Sequence, residues 1–227
     1  MQYSLTMQIF SRADLTDLFR YFAARMSADR AMLGELDGEI GDADHGVAMA
    51  GGFEAAAKAL AEVAAADQTL DQGFSLAASS LLNAVGATTG PLYASALLRA
   101  GQTFGDLREV SFDRLPEVIP AICGGIEARG NGKPGDKTMI DAWSPAAHAV
   151  RVGLDQGKAT LDILDHAARE GRAGAEATRS MLAAKGRAAR LGPRSIGHLD
   201  PGAVSAAGLL EALAAWAHDR YHAEQYA

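Results

Sequence analysis

The stretch LDGEIGDADHG places three aspartates, Asp37, Asp42 and Asp44, within eight residues, with Gly41 and Gly46 flanking the last two. Carboxylates held that close repel one another unless a cation neutralises them. A hard divalent cation such as Mg²⁺ takes oxygen ligands and leaves its remaining positions to water and phosphate oxygens. The set therefore suits one or two Mg²⁺ ions. It is not an EF-hand, because the twelfth position counted from Asp42 is Phe53 and that counted from Asp37 is Ala48, where a glutamate is required. It is not a zinc site either, since the nearby nitrogen ligand is His45 alone. The same residues also read as a solvated acidic turn capping a helix that starts near Gly46, and spacing leaves both readings open.

Three further polar loops accompany this cluster. NAVGATTGPLYAS puts small residues ahead of a helix, with Thr88 and Thr89 at its start, where backbone amides and the helix dipole favour anions. The order G-x-x-x-x-G-K-[ST] is absent, so this is no P-loop, and an ordinary cap and turn fits the segment equally. In RGNGKPGDKTMIDAW, Asp136 reads as an N-cap, and Lys133 and Lys137 read either as phosphate ligands or as solvated surface lysines. In KGRAARLGPRSIGHLDPGA, Arg187, Arg190 and Arg194 have the planar fork that grips phosphate oxygens. Alternatively, they offset a helix C-terminus. His198 reads as a hydrogen-bonded turn residue. No Ser–His–Asp, Cys–His or Cys-x-x-Cys arrangement appears.

The elements that must position these loops are helical. Apolar residues recur at helical spacing in Leu15, Leu18, Phe19, Phe22 and Met26, in Met49, Phe53, Ala56 and Leu60, and in Leu115, Val118, Ile119 and Ile122. Similar stretches at Leu81–Val85, Leu92–Leu97, Met139–Ala147, about 158–184 and about 202–219 bring the count to about eight helices. No segment reads as a strand. Abundant alanine and only 6% aromatic residues agree with closely packed helices. The 227 residues, 48% hydrophobic and 22% charged, describe one domain over residues 1–227, with residues 1–7 expected as a disordered extension and Met7 as an alternative start. The formal net charge of −7 argues against nucleic-acid binding and means that a phosphate ligand needs local compensation. The single cysteine, Cys123, lies in an apolar helical pattern and reads as core. No apolar run reaches the length of a membrane span, and the first residues lack the pattern of a secretory signal, so the cytoplasm is expected, with no membrane partner.

Taken together, LDGEIGDADHG, GATTGPLYAS, RGNGKPGDKTMIDAW and KGRAARLGPRSIGHLDPGA, in this order from about Leu36 to Gly202, resemble the L subunit of dihydroxyacetone kinase, which also occurs as the C-terminal domain of single-chain dihydroxyacetone kinases. The resemblance implies an all-α fold, a barrel of eight antiparallel helices with a nucleotide site in the loops at one end. It implies that Asp37, Asp42 and Asp44 hold two Mg²⁺ ions bridging the phosphates of ADP or ATP. His45, Gly46, Val47 and Ala48 would line the nucleotide, and Thr88 and Thr89 would contact phosphate. Gly130, Met139, Arg187 and the Asp200–Pro201–Gly202 turn would complete the pocket, with Arg187 as a phosphate stabiliser. Three positions depart from the usual pattern: Ala87 stands where a second glycine is common, Thr88–Thr89 replaces a small residue and serine, and Ala48 replaces a polar residue.

The implied activity is that of a kinase subunit, passing a phosphoryl group from Mg-nucleotide to a small ketose held by a partner K subunit. ADP is then a retained cofactor, rephosphorylated by an M subunit of the phosphotransferase system. Alternatives are an ATP-dependent subunit acting on another ketose, such as a four-carbon one, and a non-catalytic nucleotide-sensing module that regulates a partner. A homodimer is left open.

Overall fold

Helices form where local caps and apolar faces agree. In the computed structural model, which describes residues 8–86 and 88–225, Ser11 accepts from the Asp14 N–H while the Asp14 carboxylate accepts from Ser11 N–H at 2.8 Å, and this reciprocal cap starts α1 (Arg12–Ala28). Thr69 and Gln72 make the same box at the start of α4 (Leu70–Ala84). The remaining helices are α2 (Arg30–Ile40), α3 (His45–Glu62), α5 (Thr89–Phe104), α6 (Val118–Gly130), α7 (Ile140–Asp155), α8 (Thr160–Ala177) and α9 (Pro201–Gln225). The expectations for residues 1–7 and for Ala87 lie outside the described residues.

The all-helical class expected from the sequence is what the structure has, with three differences. First, α2 is a helix in its own right, so Asp37 stands on a helix rather than in a glycine-rich turn. Gly34 and Gly38 weaken its helical pattern, and Asp29, which separates it from α1, keeps helix-like angles and so gives no break to read. Second, the helix expected over 158–184 ends at Ala177 and continues as a 3₁₀ turn, Thr178–Ser180, before the chain extends at Met181. Third, two three-residue strands, β1 (Ile9–Ser11) and β2 (Glu109–Ser111), pair antiparallel with Phe10 opposite Val110. Strands that short show no alternation to detect.

Helices α1, α3, α4, α5, α6, α7, α8 and α9 each pack on the next, and α9 returns to α1, so the packing order closes on itself. The short α2 stays outside that order and packs on α3 and α9. The enclosed core is aromatic at its centre. Phe53 meets Phe22 and Tyr93 edge-on, at centroid distances of 5.8 and 5.7 Å, and stacks on Phe19 at 6.2 Å. Every residue of the Leu15–Met26 and Met49–Leu60 stripes is buried, as are both tryptophans. Cys123 is buried too, and burial together with Glu127 pushes its thiol up to about 12, which leaves it an inert core residue. Among the described residues no helix is long and apolar enough to cross a membrane.

Phe53 joins three aromatic neighbours from α1 and α5, so it tests this closure. Phe53→Ala is expected to destabilise the protein by about 3–5 kcal/mol, read as a lowered midpoint in urea unfolding followed by circular dichroism. An unchanged midpoint would mean that the centre collapses around the lost ring.

Candidate functional site

The starts of α3, α5, α7 and α9 gather with the end of α6 at one end, where α2 also finishes. A cleft of about 570 Å³ opens there. Its walls take His45 from α3, Thr88 and Thr89 from the start of α5, Gly130 from the end of α6, Met139 and Ile140 from the start of α7, and Asp200, Pro201 and Gly202 from the start of α9. Asp37, Asp44 and Arg187 complete the rim, and Ile40, Leu92 and Ile126 supply apolar lining.

The acidic cluster is built around a buried carboxylate. Asp37 Oδ2 accepts from the N–H of Asp44 at 2.9 Å and of His45 at 3.2 Å, so Asp37 caps the first turn of α3 from a neighbouring helix. Two glycines make room for this. A Cβ at Gly41 would stand on Asp37 Oδ1, and a Cβ at Gly46 would stand on the Arg30 carbonyl where α3 crosses α2. One oxygen from each of Asp37, Asp42 and Asp44 lies within 4.8 Å of the others. At that separation each like-charged pair costs roughly 1–3 kcal/mol between the water and protein-surface limits. Arg187 answers this repulsion, since Nη1 pairs with Asp42 Oδ1 and lies 3.3 Å from Asp44 Oδ2.

His45 is not free to join the carboxylates. Its Nε2 lies 2.9 Å from Ser205 Oγ, which donates to the Gly202 carbonyl at 3.0 Å. That arrangement puts the proton on Nε2 and ties α3 to the first turn of α9. Burial holds the ring below its ordinary value against the pull of Asp37, Asp44 and the Pro201 carbonyl. Tyr93 and Trp143 are buried nearby, and burial pushes the tyrosine hydroxyl up to about 12, against the neighbouring Trp143 and Ser205 side chains.

The other helix starts differ in how far they are satisfied. At α7 no side chain caps the helix, so Asp136 does not take the N-cap role expected of it. Asp141 accepts from Gly135 N–H at 2.5 Å and Thr138 N–H at 2.8 Å, while Asp136 closes a turn on Lys133 N–H. At α9, Asp200 Oδ2 accepts from Ala203 N–H at 2.7 Å. At α5, neither Thr88 nor another side chain caps the helix, which leaves its first amides available to an anion.

Some candidates fall elsewhere. Gly46 is taken up by packing against α2, Val47 is 54% exposed on the outside of α3, and Ala48 packs on the core, so none of the three lines the cleft. Asp42 meets the site through Arg187. Arg190 lines the cleft, whereas Arg194 and Lys133 are exposed and do not. Lys137 lines the cleft without offering its charge to a phosphate, because its ammonium is spent on backbone carbonyls. Burial holds that ammonium below its ordinary value, against the pull of Asp200. Sequence reasoning missed Ile40, Leu92, Ile126 and Thr138, whose types are those of any helix core or turn.

The sequence profile of the DAK2 domain matches residues 39–215. The ADP-binding subunit DhaL of PEP-dependent dihydroxyacetone kinase 1 from Listeria innocua is 40% identical over 192 residues, covering 85% of this chain and 90% of that one. The corresponding ADP-binding subunit of the Escherichia coli PEP-dependent dihydroxyacetone kinase is 37% identical over 190 residues, covering 83% and 89%. Among solved structures, the dihydroxyacetone kinase from C. freundii in complex with AMP-PNP and Mg²⁺ superposes with a TM-score of 0.68 at 25% identity, over 95% of this chain and 36% of that one.

The site carries a pH signature. Burial pushes the Asp200 carboxyl from its ordinary 3.8 up to about 7, against the Ala203 N–H and Lys137, with Asp141 and Asp37 adding to the rise. A carboxyl raised on folding contributes stability that is complete below its unfolded value and is lost as pH climbs through its folded value. The ligand-free protein is therefore expected to lose stability relative to Asp200→Asn between pH 5 and pH 8, measured by urea unfolding at both; parallel behaviour of the two would show that Asp200 titrates normally.

Proposed function

The chain belongs to the DAK2 domain family, and from that membership we propose that it is the Mg-nucleotide-binding subunit of a dihydroxyacetone kinase, presenting a phosphoryl group to a small ketose held by a separate K subunit. The observation that carries this reading is the convergence of Asp37, Asp42 and Asp44 within 4.8 Å at the rim of a cleft that also holds Arg187 and the uncapped start of α5.

The residues fit a hard cation. All three donors are carboxylates, the adjacent imidazole is turned away to Ser205, and no sulfur lies among them. Asp37, Asp42 and Asp44 would hold Mg²⁺, and we assign two ions to them, because carboxylates with several free oxygens can share ions whose other positions go to water and phosphate. Held by Asp37, Asp42 and Asp44, Mg²⁺ would supply positive charge beside the phosphate oxygens, which is most of what phosphoryl transfer demands of its catalyst.

The chain's own residues do the remainder. Asp37 stays rigid, because its second task is to cap α3. Arg187 already contacts two of the carboxylates and can reach an oxygen of a phosphate beside them, where its fixed fork adds positive charge that costs no rearrangement during transfer. Thr88 and Thr89 supply hydroxyls and amides for a second phosphate. Ile40, Leu92, Ile126 and Met139 give the apolar surface that a nucleobase prefers, beside Gly130 and the Asp200–Pro201–Gly202 turn.

Among the described residues the cleft lining holds no Cys, its His45 is engaged by Ser205 and its Lys137 by backbone carbonyls, and we assign substrate activation to the K subunit. The relatives named above are subunits of PEP-dependent enzymes. On that basis we propose that ADP is retained as a cofactor and rephosphorylated in place by an M subunit of the phosphotransferase system.

Denaturing the purified protein and chromatographing the supernatant is expected to release about one ADP per chain, as a tightly held cofactor stays through purification; its absence would favour exchange of free nucleotide. Asp42→Asn with Asp44→Asn is expected to weaken Mg-ADP binding by at least about 100-fold in calorimetry, since loss of metal ligands exceeds the cost of outer-shell changes, with far-UV circular dichroism unchanged. Undiminished binding in that variant would remove the metal reading.

A further inference from the structure

Arg187 reaches the acidic cluster from a long connection, residues 178–200, that has no α-helix of its own. The segment consists of the 3₁₀ turn Thr178–Ser180, an extended stretch, and a kinked 3₁₀ run, Ala188–Ser195. Its apolar anchorage is small: Ala183, Ala188 and Leu191 pack with Ile40 in a cluster separate from the main core, and Leu199 alone among its apolar residues packs on that core. Ala184 N–H donates to the Asp136 carbonyl at 3.0 Å, and Arg179 and Gly197 exchange backbone and side-chain bonds across the base. A loop so lightly packed would ordinarily sample many positions, and Arg187 would move with it.

At the base of this loop sits a buried ammonium. Lys137 is 1% exposed. Its Nζ lies 2.6 Å from the His198 carbonyl, 2.8 Å from those of Thr178 and Ser195, and 3.3 Å from that of Met181. The three nearest carbonyls match the three N–H bonds of an ammonium, and the fourth adds its dipole. No carboxylate takes part in the cage. Two of the carbonyls belong to the strand of chain entering the loop and two to the strand leaving it, so a single cation draws both ends together. Lys137 reaches this point from a left-handed backbone conformation, φ 59°, which a non-glycine residue adopts only where its surroundings require it.

We propose that Lys137 is a positioning residue for the nucleotide: its tethered ammonium fills a carbonyl cage that closes the 178–198 loop and so sets Arg187 against Asp42 and Asp44. The proposal rests on the reading of the cleft as a Mg-nucleotide site, and it assigns to a lysine of that cleft a task other than phosphate contact. An arginine does not substitute, because its flat fork diverges where the cage converges on a point. A neutral side chain leaves converging carbonyls that repel one another. A free monovalent cation of ammonium's size, with the same four acceptors, can take the place of Nζ.

The test measures Mg-ADP affinity by calorimetry for the wild type, Lys137→Ala, Arg187→Ala and the double variant, well below each melting temperature, in matched sodium and ammonium chloride. Lys137→Ala is expected to bind at least about tenfold more weakly in sodium, the scale of losing a group that orients a ligand, and to regain most of that in ammonium. In the Arg187→Ala background the same change is expected to cost little, because the effect runs through the arginine. Equal affinity of wild type and Lys137→Ala, an equal loss in both backgrounds, or no response to ammonium would each overturn the proposal. Should Lys137→Ala fail to fold, Lys137→Met keeps the aliphatic stem and carries the same two-background comparison.

A second measurement needs no nucleotide. Trypsin sites at Lys185, Arg187, Arg190 and Arg194 lie in the loop. Cleavage there is expected to be faster in Lys137→Ala than in wild type and to slow again in ammonium, since cleavage follows local opening. Equal rates in the ligand-free proteins overturn the loop closure. A wild type that binds no Mg-ADP yet shows this difference in cleavage would instead sink the functional reading and leave the cage standing.

Discussion

Three like charges gathered at one end of a helical domain shape everything around them. Asp37 is the fixed member, because its buried carboxylate caps α3 and cannot turn away without uncapping it. Asp42 and Asp44 project beside it from the turn that Asp37 organises. The repulsion between them is then a property of the fold rather than a choice of rotamer, and it must be met from outside the cluster. Arg187 meets it, and the proposed metal would meet it more fully. The glycines at 41 and 46 belong to the same constraint: one admits the Asp37 side chain, and the other lets α3 lie against α2 closely enough for the cap to reach.

Much of this was legible in the amino-acid pattern, and the limits have physical causes. The stripes Leu15–Met26 and Met49–Leu60 declare their faces because helical periodicity follows directly from burial on one side. The acidic triad declares itself because its members are close in the chain, so spacing alone states the electrostatic problem. What failed was the boundary between α1 and α2, since Asp29 joins two helices without a glycine or proline, and the two short strands, which offer too few residues for a period. Lys137 was misread for a different reason. A lysine in a polar, glycine-rich loop has the composition of a surface or phosphate-binding residue, and only the carbonyls of residues 178–198, brought in from far along the chain, reveal it as a buried cation. Likewise, packing geometry, which no spacing rule carries, moved Gly46, Val47 and Ala48 out of the cleft lining.

The cleft also shows how one end of a closed helical array can hold polar chemistry over an apolar core. Backbone amides at the starts of α3 and α9 are met by Asp37 and Asp200, both of which line the cleft, so these acids serve the scaffold and the cleft together. The starts of α5 and α7 have no side-chain cap. A domain that capped all four would be somewhat more stable.

The acidic cluster and its arginine differ greatly in how far apart they lie along the chain. Asp37, Asp42 and Asp44 come from one α2–α3 hairpin, whereas Arg187 and Asp42 are 145 residues apart. Contacts of short separation form at little entropic cost during folding, and distant ones must wait for the chain to come round. The hairpin can thus assemble its carboxylates while most of the molecule is still unstructured, but the arginine arrives only after α8 has docked and the chain has turned toward α9. On the proposed reading, the part of the site that meets phosphate would be completed late, and the acidic hairpin would be ready for a cation before the arginine reached it.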